Sequence, residues 1–233
     1  MSSKKQLAAE AIVRLGGVPM LTTYWGKTRL TVLAYHRIIG FQLNDYDDLV
    51  SVVSATPDVF DQEMAFVKDN FNVISLDDLR GAVLHGRSLP DNPLLITFDD
   101  GYLDNYTNAF PILKKYGFPA VIFLTTSRMD DPNTPLWWDH VARIFHRTTQ
   151  TEADLPLGGT VNLTGAAKGD TLEDVINALK TVPENEKLDA VAEIGVAMGV
   201  TDVSGGPLFF NWEQAKELAN NGIACQGHTV NHP

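Results

Sequence analysis

The chain has 233 residues, 44% of them hydrophobic, and a net charge of −11. That is enough apolar material for one large core or two small ones. The acidic balance argues against nucleic acid as the main partner, because a phosphate backbone selects basic surfaces.

The charge is unevenly spread. Residues 1–37 carry six basic side chains and one acid, a net of +5, so the remainder carries −16. Residues 1–29 read as a basic helical arm, with helical spacing from Lys4 to Leu15 and a stop at Gly16-Gly17. The preferred reading is a helix that docks on the domain. Contact of the basic arm with an anionic membrane surface is the sharper alternative. Glu10 and Arg14 interrupt the stretch from Leu7 to Leu15, which does not read as a secretory signal. No run approaches the roughly 18 apolar residues that read as a membrane span. Cys225 is the single cysteine, so no disulfide forms within the chain. These features point to a cytoplasmic location.

The domain proper reads as residues 30–233. Leu30 to Tyr35 is a first strand, followed by His36-Arg37 and a polar loop that includes Asn44 to Asp48. Thr56-Pro57 opens a helix with Phe60, Met64 and Val67 on one face. Asn72 to Ile74 is a short strand, and Ser75 caps a helix in which Leu76, Leu79 and Val83 share a face. Leu94 to Phe98 is a continuous apolar run, as in a strand buried on both faces of a parallel sheet. A helix follows Gly101, with Tyr106, Ala109, Phe110 and Leu113 on one side and an end near Gly117. Ala120 to Leu124 is a further apolar strand. This alternation predicts βαβ units and a parallel sheet, an α/β class.

The rhythm changes over about residues 127–208, which read as a largely helical insertion. Three faces are predicted: Trp137, Val141, Ile144 and Phe145; Leu172, Val175, Ile176 and Leu179; Leu188, Val191, Ile194 and Met198. Gly159 to Leu163 is the one strand candidate there. The core rhythm resumes at Phe210, with a helix from Trp212 to Asn220 and a strand from Ile223 to Gln226.

Two segments carry the chemistry. The Leu94–Phe98 run ends in Asp99-Asp100-Gly101, and the last strand runs into His228-Thr229-Val230-Asn231-His232. Two carboxylates beside a core are costly unless something neutralises them, and a metal ion does so. His228 and His232 are four apart, a spacing that faces both rings one way if they share a helical turn. One Asp and two His leave zinc an open position for water, which ionises near neutrality and becomes a nucleophile. The other aspartate is then placed to take the proton of this metal-bound water. The reaction read from these residues is metal-assisted hydrolysis of an acyl bond. His36 also follows an apolar strand and reaches toward the same face, although a hydrogen-bonded strand-end histidine is the commoner outcome. Cys225 reads as a small hydrophobe rather than a ligand. No role is given to His85, His140 or His146.

Thr97-Phe98-Asp99-Asp100-Gly101, followed by His228-Thr229-Val230-Asn231-His232-Pro233, resembles the first two motifs of the polysaccharide deacetylase family (NodB homology, carbohydrate esterase family 4). Leu33-Ala34-Tyr35-His36-Arg37-Ile38, Tyr102-Leu103-Asp104-Asn105-Tyr106 and Trp212-Glu213-Gln214 support it. The resemblance covers about residues 30–126 and 209–233. It implies a distorted (β/α)7 barrel, with Asp99 as catalytic base and Asp100, His228 and His232 as ligands of a divalent metal, usually Zn2+. It implies removal of N-acetyl or O-acetyl groups from a carbohydrate, an N-acetylated one first. Gln226 departs from the small residue usual before the motif histidine, with an expected effect on local packing only. The family's later arginine, Asp/Trp and Leu/His motifs have no counterpart before Pro233, so a barrel incomplete at its C-terminus is expected, lacking the family's general acid. The alternatives are a truncated, non-catalytic metal- or glycan-binding fragment, and hydrolysis of a small non-sugar amide.

Overall fold

The computed structural model describes residues 29–40, 55–156 and 158–232. The predicted arm helix and the Asn44 to Asp48 loop lie outside these residues. The core elements are β1 (Thr31–Tyr35), α1 (Pro57–Asn70), β2 (Asn72–Val73), α2 (Leu76–His85) and β3 (Pro93–Phe98). After β3, a π-helical turn over Asn105–Ala109 runs into α3 (Phe110–Tyr116), and β4 (Ala120–Leu124) follows. Next come α4 (Thr126–Asp130), α5 (Trp137–Arg147), β5 (Glu152–Leu155), β6 (Gly159–Asn162), α6 (Gly165–Leu179) and α7 (Glu184–Ala197). The chain returns through α8 (Trp212–Asn220) to β7 (Ile223–Gly227).

Local chemistry sets the helix ends. The Thr56 hydroxyl accepts the Val59 N–H at the start of α1, and Ser75 and Asp78 form a reciprocal cap on α2. Gly86 ends α2 and Gly117 ends α3, each with a left-handed backbone.

The main sheet is parallel, in the order β1-β3-β4-β7, with β2 paired to the start of β3. It has five strands, and among the described residues β1 and β7 are its edges. The α/β class and the parallel sheet are as the sequence predicts. Alternation along the strands divides the side chains between two faces. Leu94, Ile96, Phe98, Ile122 and Ile223 pack against Phe60, Met64 and Val67 of α1, Phe110 and Leu113 of α3, and Ala215 and Leu218 of α8. On the opposite face, Leu95, Val121 and Ala224 meet Ile74, Leu76 and Leu79. Val83 does not join them; it is 73% exposed, because α2 covers the sheet only with its first turns.

The 127–208 stretch is helical with a two-stranded hairpin, β5 against β6, of which the sequence indicates only the second strand. It has its own core, built from Trp137, Val141, Ile144, Phe145, Leu172, Val175, Ile176, Leu179, Val191, Ile194 and Met198. Leu188 is the exception at 63% exposed. Its neighbour Lys187 is buried instead, with Nζ 5.0 Å above the Trp137 ring and 2.8 Å from Glu184 Oε2. The long aliphatic stem covers apolar surface while the ammonium keeps a charge partner.

Candidate metal centre and active site

The site lies where β1, β3 and β7 end. By alternation, His36, Asp99 and His228 fall on one face of the sheet, in the same row direction as Ala34, Thr97 and Gln226. The register Tyr35↔Phe98 between β1 and β3 then brings His36 beside Asp99, with His36 Nε2 3.9 Å from Asp99 Oδ2. The ladder continues one step further, as Asp99 N–H donates to the Tyr35 carbonyl at 2.9 Å.

Asp100 leaves the sheet with φ +74 and Gly101 follows with φ +83. This sharp turn drives the Asp100 carboxylate inward, where the residue is 1% exposed. A side chain at 101 has little space, because a Cβ there would lie 3.1 Å from both Leu124 Cδ2 and Met129 Cε. Asp99, by contrast, keeps a quarter of its side chain open to solvent.

The histidine segment starts from the end of β7, where His228 N–H donates to the Leu124 carbonyl at 2.7 Å. It is not helical. Thr229 and His232 have φ of +63 and +55, and the Thr126 and Ser127 N–H groups donate to the Thr229 and Val230 carbonyls. The two rings converge through this loop rather than through a helical i, i+4 face, with centroids 4.8 Å apart. His228 Nε2 lies 3.7 Å and His232 Nε2 lies 3.4 Å from Asp100 Oδ1. One ligand atom from each of the three residues lies within 4.8 Å of the others.

Electrostatics fit a cation here. Burial raises the Asp100 carboxyl to about 7, with help from the charges of Asp139 and Asp99. Burial lowers the His232 imidazole, and His228 adds to this. Asp100 Oδ1 is buried and accepts no hydrogen bond among the described residues. Two imidazoles and a carboxylate around one point, with the oxygen otherwise unsatisfied, are a donor set suited to Zn2+. Asp100, His228 and His232 are thus brought together as the sequence proposes, and Asp99 sits at their rim.

His36 belongs to the same group. Burial lowers its imidazole, and the Asp99 charge partly offsets this. Its backbone is clamped by the residues after the Asp-Asp-Gly turn. Asn105 Nδ2 donates to the His36 carbonyl at 2.9 Å, and Asn108 Nδ2 donates to that of Ile38 at 2.7 Å. Asp104 accepts from Ile38 N–H at 2.7 Å and from Arg37 Nε at 2.9 Å. Tyr102, Trp138 and Asp139 line the other side: Trp138 Nε1 donates to the Tyr102 hydroxyl at 2.9 Å, and that hydroxyl donates to Asp139 at 3.1 Å. The sequence gives none of these residues a role. Cys225 points to the helical layer, its Sγ 3.7 Å from the Ala215 carbonyl, and burial pushes the thiol up to about 11. Gln226 is exposed and folds its amide onto the Cys225 carbonyl at 2.8 Å, so its effect is indeed local.

Comparison with known proteins finds similarity to deacetylases. The polysaccharide deacetylase family profile matches residues 86–153, a span that holds Asp99 and Asp100. The YxkH protein of Bacillus subtilis (strain 168), described as a polysaccharide deacetylase, is 32% identical over 108 residues, which are 44% of this chain and 36% of that protein. The poly-β-1,6-N-acetyl-D-glucosamine N-deacetylase of Escherichia coli (strain K12) is 36% identical over 72 residues, 30% of this chain and 11% of that protein. The chain therefore spans about a third or less of the length of these relatives. Among solved structures, Streptococcus pyogenes deacetylase PplD shares the fold with a TM-score of 0.50 at 19% identity, over 89% of this chain and 59% of that one. The motifs, the parallel sheet and these matches point one way: residues 86–153 are similar to polysaccharide deacetylases, and the chain shares the fold of a deacetylase of known structure.

Proposed function

We propose that the domain hydrolyses the N-acetyl groups of a β-linked N-acetylglucosamine polymer or a related acetylated polysaccharide. The observation that carries this reading is the convergence of Asp100, His228 and His232 on one point, with Asp99 and His36 at its rim. The printed activity of the E. coli relative supplies the substrate class. Asp100, His228 and His232 are the residues that would hold Zn2+. When bound, zinc supplies the Lewis acidity that polarises an acetyl carbonyl and makes water nucleophilic near neutral pH.

The remaining work falls to the chain's own side chains. Asp99 accepts the proton of the attacking water as general base. The C–N bond breaks, and the protonated fraction of His36, which burial reduces and the Asp99 charge partly restores, gives a proton to the departing sugar nitrogen. Acetate and a free amine are the products, and the proton lost to Asp99 balances the one delivered by His36. His36 Nε2 lies 3.9 Å from Asp99 Oδ2, so in this reading acid and base stand side by side on one rim of the site and meet the substrate from the same side. In this reading the general acid is the residue that directly follows β1.

The test is acetate release from N-acetylglucosamine oligomers by the zinc-supplemented chain. The reading expects release that a chelator stops and that Asp99→Asn abolishes. Equal release by Asp99→Asn, or none from the zinc-bound parent, would reject it.

A further inference from the structure

We infer that Trp138, on α5 of the helical insertion, is a positioning residue for the His232 ring, so that the insertion is a working part of the metal centre. This rests on the metal-site reading above.

A metal-bound histidine ordinarily has its ring fixed by a hydrogen bond from its second nitrogen. His232 lacks this device: its Nδ1 is buried and has no hydrogen-bond partner among the described residues. The backbone of its loop is held by Thr126 and Ser127, but these contacts do not set the ring. What meets the ring is Trp138, edge to face, with centroids 4.7 Å apart and planes at 78°. The other ring against it is His228, itself a ligand.

The indole is in turn fixed. Its Nε1–H donates to the Tyr102 hydroxyl at 2.9 Å. Tyr102 is 2% exposed, stacks on Phe209 at 4.8 Å and lies 4.7 Å beneath the Arg37 guanidinium. Trp138 also packs against both hydrophobic cores, and Trp137 beside it is buried in the insertion's own core. A rigid contact thus runs from the insertion to one ligand of the triad.

The experiment compares the parent chain with Trp138→Ala, Trp138→Phe and Ile176→Ala. Ile176 lies in the insertion core, away from the site. Zinc affinity is measured by competition with a chromophoric chelator, and the histidine rings by long-range 1H–15N correlation of the metal-free chains. Trp138→Ala should weaken zinc about tenfold or more, the loss typical of removing an outer partner of a ligand. It should also displace the ring resonances of His232 more than those of His36. Trp138→Phe keeps an aromatic edge but not the hydrogen bond, and should fall between, at about threefold. Ile176→Ala should lower the melting temperature while keeping parental zinc affinity. Parental zinc affinity in Trp138→Phe together with Trp138→Ala overturns the inference. So does an equal loss in Ile176→Ala, which would mean general loosening. If Trp138→Ala does not fold, Trp138→Phe decides alone. A parent chain that binds no zinc defeats the metal-site reading itself, and the inference with it.

Discussion

Asp100 Oδ1 lies 3.4 Å from His232 Nε2, although the two residues are 132 positions apart in the sequence (232 − 100) and Asp100 is 1% exposed. A buried carboxyl raised to about 7 by burial and by neighbouring acids is a liability in the metal-free fold. Asp100→Asn should therefore raise the metal-free melting temperature at pH 8, where the parent carboxyl is largely ionised. The same change should remove the stabilisation given by zinc. Thermal unfolding with and without zinc reads both effects, and their opposite signs separate a site residue from a packing residue.

His36 should matter for turnover and not for metal retention. Its ring faces Asp99, and no atom of it belongs to the triad. His36→Ala should lower kcat by about 100-fold, the low end of what a general acid contributes. Zinc affinity should stay at the parental value. A parallel loss of both would make His36 a ligand instead.

Asp139 gives a pH signature of its own. Burial pushes its carboxyl up to about 6, against the lowering influence of Arg37 and the Tyr102 hydroxyl. A raised carboxyl pKa means that the folded chain binds the proton more tightly than the unfolded one. Its contribution to stability is present below the ordinary value near 3.8 and is lost as pH rises through about 6. Melting temperature of the metal-free chain should fall between pH 4.5 and 7, and Asp139→Asn should flatten that fall. A slope unchanged by the substitution would show that Asp139 titrates as it does in water.

Gly101 tests the turn that buries Asp100. Its φ is +83, and the space beside it is closed by Leu124 and Met129 at 3.1 Å. Gly101→Ala should cost about 1–3 kcal/mol of stability from backbone strain and crowding together. Because the turn aims the Asp100 carboxylate, zinc affinity should fall as well. Denaturant unfolding and chelator competition measure the two.

Much of this site is legible in the residues themselves. An apolar run that stops in Asp99-Asp100 raises the expectation of a counter-charge such as a metal ion, and the histidine pair four apart adds donors that would hold one wherever the loop puts them. The loop itself is not legible: i, i+4 spacing suits a helical turn as well as a chain reversed by positive φ at Thr229 and His232. The place of His36 depends on β1 lying next to β3 and not next to β2, a pairing that local patterns do not encode. The same holds for Trp138 and Tyr102, which meet only through tertiary packing. In the insertion, β5 has just two buried residues, Ala153 and Leu155, too short an alternation to read. Lys187 takes a buried position that apolar periodicity assigns to Leu188, because a charged tip can stay paired while its stem packs.

The measurement that bears most directly on the central claim, that the ends of β3 and β7 build one metal centre, is thermal unfolding with and without zinc. It is made on the parent chain and on His228→Ala. A ligand that binds only the folded state stabilises it by about 2.7 kcal/mol at a hundred times its dissociation constant. The account predicts one cooperative transition in each protein, shifted upward by zinc in the parent and unmoved in His228→Ala. An equal zinc shift in the two proteins, or no shift in the parent, would contradict it.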